Sequence, residues 1–325
     1  DYTGGGCPHI LAEPQRTNLF PYSEDFTSWT TTGSATVTPN TTISPDGTQN
    51  ADTLDLLAGD YFYKPITSGA GTFTISCYVK VASGTLDFKM QSFNGTDGAD
   101  ASSTFTANTN WQRFEFTTTV TTDSNFYPIQ VSGLTGGDFQ IWGASLEVGS
   151  YPTSYIPTDG STVTRVQDQY SKTGISNLIN SEEGTFFLDL ALLSGNTNYD
   201  LQTSIVLSDG AANNRVLIYS PTTPQNRYIA LIKSEGNTVI QKTIDATDIT
   251  LFNKIAVTWK TNEYKIFLNG NPIYSNTTPT ATPIGLNSLF FAAYNSTANP
   301  FYGKVKQLQI FKTALTDPEL AILTT

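Results

Sequence analysis

LEVGSYPTSYIPTDGSTVT, residues 146–164, is the stretch on which the domain organisation turns. Pro152 and Pro157 fix φ and remove backbone donors, so no central strand runs through them. Tyr151, Tyr155 and Ile156 are too apolar for a free linker. The stretch closes one β-rich unit and hands over to another. Its aromatics are expected to pin it, with Tyr151, Tyr155 and Ile156 packing one domain against the next.

The chain has 325 residues, which suggests two domains, each large enough to bury a core. Its 25 Gly and 16 Pro, with abundant Thr, Ser and Asn and no long helical pattern, point to an all-β chain of short strands and many turns. The net charge is −11 with only 17 Lys and Arg, so the basic footprint of a nucleic-acid-binding protein is missing. The same balance disfavours an anionic membrane surface. No run of about 18 apolar residues is present, so no transmembrane helix is expected. No signal-peptide pattern is visible either. A chain that opens on Asp1, with Met90 as its one methionine, reads as a piece of something longer.

Upstream of residue 146 the chain alternates as strands do. Residues 1–18 carry Gly4, Gly5, Gly6, Pro8 and Pro14 and read as an N-terminal connector arm, in which Glu13 and Arg16 pair with each other or with the following domain. Residues 19–157 read as a sandwich or jelly roll of seven to nine strands. Phe73, Ile75, Cys77, Val79 and Val81 share one face of TFTISCYVKV, and Phe114 and Phe116 share a face further on. Turn clusters such as Ser44-Pro45-Asp46-Gly47 and Gly136-Gly137 separate the strands. Residues 158–180 read as a polar linker.

Residues 181–325 form a second sandwich. Strands are expected at 185–192, 203–207, 215–220, 227–233, 239–244, 252–260, 264–268, 272–274, 288–294 and 305–311. Asn269-Gly270 between apolar-alternating runs is a type I′ hairpin signature. Tyr264, Ile266 and Leu268 should face one side there, Lys265 and Phe267 the other. Thr316 with Glu319 three residues on is a capping box, and Pro318 suits a first helical turn, so a short helix is expected to about Leu323.

Three segments carry a resemblance: NLFPYSEDFTSWTTTGS, NTNWQRFEFTTTV and FQIWGASLEVGSYPTSYIPT. They resemble the carbohydrate-binding-module-like jelly roll of bacteriophage tail and virion proteins. The lead-in DYTGGGCPHILAEPQRTNL is similar to that group as well. KIAVTWKTNEYKIFLNGNPI and YGKVKQLQIFKTALTDPELAIL resemble a laminin-G-like, concanavalin-type sandwich. The resemblance implies a virion-surface location, with cell-surface glycans or other virion proteins as partners. It also implies homo-oligomerisation, a trimer being the form it suggests. Related jelly rolls hold a structural calcium with an Asp in the last strand, in a run like DDVSLE. Here that run is Ile141-Trp142-Gly143-Ala144-Ser145-Leu146-Glu147, and the Asp is missing. In laminin-G-like relatives an acidic residue precedes the final strand, where this chain has Lys306.

The residues argue against catalysis. The Glu-x-Asp-x-x-Glu pattern of concanavalin-type retaining glycosidases is absent. The one histidine, His9, lies in the connector, which leaves lyase, Ser-His-Asp and Cys-His chemistry without its base. Cys7 and Cys77 form no metal-ligand cluster, and Cys77 reads as a small buried apolar residue.

Sugar binding needs exposed aromatic faces beside amides and charged groups. Tyr61 and Tyr63 alternate with Phe62, so two tyrosines share a strand face. Asn226, Arg227 and Tyr228 follow a Pro-rich turn. Tyr294, Asn295 and Tyr302 flank the loop NSTANP. Core packing competes for each of these, because folded proteins bury most aromatics. Trp111 and Trp259 read as core, Trp29 and Trp142 as partly exposed. Calcium is the one cofactor with candidate ligands: Asn94, Asp97 and Asp100 in one loop, and Asp209 with Asn213 and Asn214 in another. Solvated turns compete there, since Asn, Asp and Gly dominate turns.

The expected function is therefore non-enzymatic: a tail-fibre or spike component that binds host-surface glycans. The alternatives are a capsid or tail decoration protein without a sugar site, and an accessory carbohydrate-binding module of a secreted polysaccharide-degrading enzyme.

Overall fold

The strand Gly71–Val81 shows why the first half of the chain folds as it does. Its alternate side chains Phe73, Ile75, Cys77, Val79 and Val81 are all buried in one apolar cluster. Phe116 and, partly, Phe114 join them from the neighbouring strand Gln112–Val120. The computed structural model describes residues 8–94, 101–193, 203–221, 226–294 and 299–325. It divides into two units, Gln15–Val166 and Gln167–Thr325, the second joined by Asp1–Pro14.

Among the described residues the chain is all-β apart from one short helix and two 3-10 turns. The first unit is a sandwich of two five-stranded antiparallel sheets. One sheet runs Gln112–Val120, Gly71–Val81, Gly136–Val148, Ala51–Leu57, Thr36–Thr42. The other runs Thr30–Thr32, Tyr61–Ile66, Ser124–Gln130, Leu86–Phe93, Ala101–Ala107. A ribbon pairs Arg16–Asn18 with Val163–Arg165. Cys77 is a buried free thiol, and burial pushes its pKa up to about 12. Cys7 lies outside the described residues.

The segment after Val148 crosses back over its own sheet. Thr74 Oγ1 donates to the Gly149 carbonyl at 2.9 Å, and Arg113 Nη2 donates to the Thr153 carbonyl at 2.7 Å. Glu147, fully buried, accepts from Thr153 N and Oγ1 and from Ser145 Oγ, with Arg16 Nε at 4.0 Å. Asn18 uses its whole amide: Nδ2 donates to the Ala144 and Ile156 carbonyls, and Oδ1 accepts from Phe20 and Leu146 N. A buried amide satisfied on every side locks three segments together.

Tyr151, Tyr155 and Ile156 were expected to join two domains. Each has partners within the first sandwich. The Tyr155 ring packs on Trp142 at 4.7 Å, and its hydroxyl bonds to Ser23 and to Glu24 Oε1. Burial raises the Tyr155 pKa, and the Glu24 carboxylate adds to that. Ile156 is buried and Tyr151 stacks under Arg16. Apolar side chains on a proline-rigidified return segment are accounted for by their own sheet. Gly143, at φ +65°, makes room for this: a Cβ there would sit 3.3 Å from Tyr78 and 3.5 Å from Tyr155, at a break in strand register.

The second unit is a sandwich of two six-stranded antiparallel sheets. One runs Ile10–Ala12, Gly303–Phe311, Glu183–Leu192, Asn253–Lys260, Glu263–Leu268, Asn271–Asn276. The other runs Ser171–Thr173, Ser288–Phe290, Thr203–Ser208, Arg215–Ser220, Arg227–Ser234, Asn237–Asp245. Two of these strands fall in segments expected to be an arm and a linker. Ile10–Ala12 pairs with the last strand, and Ser171–Thr173 pairs with Ser288–Phe290. Edge pairing satisfies backbone groups without needing a strongly patterned sequence, so neither strand carries much signal. The boundaries drawn at 18, 158 and 180 move accordingly. Arg16 finds Glu147 rather than Glu13, whose backbone N–H donates to Asp168 Oδ2.

Asn269 and Gly270 both have positive φ, +46° and +80°, as a type I′ turn requires. Tyr264, Ile266 and Leu268 enter the core between the sheets, while Phe267 faces outward under the C-terminal helix. That helix, Asp317–Thr324, starts on the capping box: Thr316 N and Oγ1 donate to Glu319 Oε2 at 2.8 and 2.7 Å. Lys265 Nζ reaches Asp317 at 2.7 Å.

Candidate functional site: a tyrosine-lined cleft on the first sandwich

The strand Tyr61–Ile66 sends Phe62 inward, fully buried and stacked on Trp29 at 5.0 Å. Period-two alternation then places Tyr61 and Tyr63 on the outer face. The adjacent strand Ser124–Gln130 would fall out of phase but for Pro128, which cannot donate to the ladder. Register against Tyr61–Ile66 jumps between Phe126 and Ile129. The bulge lets Phe126 and Ile129 both point inward, and turns Tyr127 and Gln130 to the outer side. The next strand, Leu86–Phe93, alternates cleanly. Phe88, Met90 and Ser92 are buried, while Lys89 and Gln91 are half-buried and Phe93 is exposed.

These side chains line a cleft of about 470 Å³, with Asn125, Thr32, Ser102 and Ser132 completing its wall. Tyr127 sits between the two tyrosines, at 5.0 Å from Tyr63 and 6.1 Å from Tyr61 between ring centroids. Its own ring is nearly buried, so it props the outer pair. The polar floor is built. Gln130 Oε1 accepts from Ser132 N at 2.8 Å, and its Nε2 donates to Gln91 Oε1. That fixes the Gln91 amide with its nitrogen left to donate. Lys89 Nζ donates to the Ser132 carbonyl at 2.8 Å, which commits one of its three N–H bonds. The result is a partly desolvated surface of aromatic faces beside amide and ammonium donors. It suits a ligand with apolar ring faces and many oxygen acceptors.

The second sandwich spends its candidate residues differently. Tyr228, expected beside a surface turn, is 1% exposed in the core, and its hydroxyl donates to the Ile249 carbonyl. Burial raises its pKa. The expectation fails because Tyr228 shares the inward phase of Ala230 and Ile232. Arg227 lies opposite Asp245 across the strand pair, at 3.2 Å, and Asn226 donates to the Thr247 carbonyl. Tyr302 is buried with its hydroxyl bonded to Gln167 Oε1 at 2.7 Å. Tyr294 is half-buried beneath the Arg215 guanidinium, 5.7 Å from the ring centre. Asn295 lies outside the described residues.

The tryptophans also sort differently from expectation. Trp29 and Trp142 are buried, at 7% and 5% exposure. Trp259 is fully buried, as expected, whereas Trp111 is only half-buried, lying under Lys80 and donating to the Ile43 carbonyl. His9 meets the Phe252 ring edge-on, and desolvation lowers its pKa. Of the calcium candidates, Asp97 and Asp100 lie outside the described residues. Asp209 spends both carboxylate oxygens on its own loop, accepting from Ala211 N and Asn214 Nδ2 at 2.9 Å each. Among the described residues there is no group of three His, Cys, Asp or Glu side chains placed to hold a metal.

Comparison with known proteins bears chiefly on the second half. Residues 193–321 match the family model Laminin_G_3, described as the concanavalin A-like lectin/glucanases superfamily. No curated protein matches the chain. Solved structures that match part of the chain include the carbohydrate-binding module (CBM40) of Ruminococcus gnavus IT-sialidase bound to α2,3-sialyllactose. The match has 17% identity and a TM-score of 0.38, and covers 48% of this chain and 98% of that one. The NanB sialidase of Streptococcus pneumoniae matches at 19% identity and TM-score 0.39, over 48% of this chain and 27% of that one. Leech intramolecular trans-sialidase matches at 18% and 0.37, over 48% and 26%. Likenesses this shallow say nothing about a ligand.

Lys89, Gln91, Tyr127 and Gln130 were missed in the sequence. The alternation of LDFKMQSF marks Lys89 and Gln91 as outward, so that part was available. Tyr127 and Gln130 depend on the bulge at Pro128, for which Pro inside a strand-like run is the only signal.

Proposed function

We propose that this chain is a non-enzymatic glycan-binding component of a bacteriophage virion surface, a tail fibre or spike, and that the first sandwich holds sugar in the cleft of Tyr61, Tyr63 and Tyr127. The observation that carries the reading is the outward pair Tyr61 and Tyr63 over a hydrogen-bonded floor of Gln91, Gln130 and Lys89. Pyranose rings present an apolar face edged by hydroxyls, and this cleft offers aromatic faces edged by donors. The virion part rests on the resemblance of NLFPYSEDFTSWTTTGS and FQIWGASLEVGSYPTSYIPT to phage tail proteins.

A glycan array probed with the purified chain, with and without EDTA, tests the reading. The expected result is a reproducible hit that the double variant Tyr61→Ala, Tyr63→Ala clearly weakens while its melting temperature holds. A hit unaffected by that variant moves the site elsewhere. A blank array from folded protein favours the decoration role.

A further inference from the structure

The cleft is electrically unlike the rest of the molecule. The chain carries 28 acidic against 17 basic residues, yet no carboxylate is among the described residues that line the cleft. Among those described residues the one ionised group is the Lys89 ammonium. Two of the three Lys89 N–H bonds remain after the Ser132 carbonyl is served. Gln91, two residues on and on the same strand face, has its amide oriented by Gln130 so that nitrogen, not oxygen, is left to the ligand. An ammonium and an amide N–H₂ side by side make a donor pair for one carboxylate, and donor bonds to an ionised acceptor are the stronger kind.

The surroundings set a limit. Asp87 lies two residues before Lys89 on the outer face, in a depression with Gly133, and accepts from Thr106 Oγ1. A Cβ on Gly133 would be 3.9 Å from Lys89 Nζ, so that depression adjoins the cleft. Asp123 lines a second depression, which shares Phe93 and Asn125 with the cleft. Carboxylates therefore stand at both ends of a site whose centre is cationic.

We infer that the cleft, read as the glycan site proposed above, selects a sugar bearing a single carboxylate, seated on Lys89 and Gln91, with neutral residues on either side. A densely charged polyuronate would place its neighbouring carboxylates toward Asp87 and Asp123, and like charges disfavour that binding. The test uses the intact chain on an array of bacterial-surface polysaccharides, each acidic member printed beside its carboxyl-reduced form, with oligogalacturonate as the polyanionic probe. Carboxyl reduction should weaken binding about tenfold, the usual scale of one hydrogen bond to a charged group. Lys89→Met should erase the difference between the two forms, and Lys89→Arg should keep it. Equal binding of acidic and reduced forms overturns the carboxylate preference and leaves the glycan reading standing. Oligogalacturonate binding as tightly as the singly charged glycans overturns the single-carboxylate limit. Failure to bind any of the panel overturns the glycan reading itself, and the inference with it.

Discussion

Tyr63 and Tyr228 are both strand tyrosines beside polar neighbours, and the sequence treats them alike. One lies on an outer face lining a cleft, and the other is buried among Ala230, Ile232 and Ile244. What separates them is the phase of their strands. Tyr63 alternates with Phe62, which is committed to the core, whereas Tyr228 is itself in the committed phase. A binding face is what remains once the core has taken its share, so the neighbour one residue away says more than the residue itself.

The largest expected effect tests that difference directly. Tyr228→Ala should cost about 3–5 kcal/mol, the range for emptying a large buried aromatic, and should lower the melting temperature sharply. Tyr63→Ala should stay within about 1 kcal/mol, as partly exposed substitutions usually do. Calorimetry on the two variants would break the comparison if the losses came out equal.

Glu147→Ala comes next and sharpens what holds the first sandwich closed. It removes a buried carboxylate that Thr153 and Ser145 bond and Arg16 approaches. Stripping one member of such a buried group costs roughly 3 kcal/mol. Proteolysis near residues 149–158 should accelerate in the variant. Unchanged cleavage would mean that the bonds from Asn18, Thr74 and Arg113 secure the return segment without Glu147. The double variant Tyr61→Ala, Tyr63→Ala follows, with roughly a thirtyfold loss of glycan affinity at about 1 kcal/mol per aromatic face, read by titration calorimetry.

The architecture was legible where one rule dominates. Strict alternation located the core strands of both sandwiches, because a one-residue slip would expose every apolar side chain. Asn269-Gly270 and Thr316 with Glu319 state their geometry in two or four residues. The site was half legible. LDFKMQSF shows Lys89 and Gln91 outward, but Tyr127 joins Tyr61 and Tyr63 only through the bulge at Pro128. Nothing local says that Asn18, in an apparent connector, ties Ala144, Ile156 and Leu146 together. Such partners lie more than 120 residues away in sequence, and pairing at that distance leaves no periodic trace. The same holds for Ile10–Ala12 and Ser171–Thr173, short edge strands recruited by partners far along the chain.

The smallest effect concerns the residues that look most like a sugar clamp. Arg227 and Asn226 stand together after a Pro-rich turn, as a recognition loop would. The structure gives Arg227 to Asp245, directly opposite in the register, and Asn226 to the Thr247 carbonyl. The Asp245 side chain is 75% exposed, so water screens the pair and its contribution is under about 0.5 kcal/mol. Arg227→Ala should therefore change neither melting temperature nor glycan affinity measurably, and Asp245→Ala should match it. A loss of affinity in Arg227→Ala with stability unchanged would give the second sandwich a site of its own. The contrast between the two halves would then be one of two sites rather than of site and scaffold.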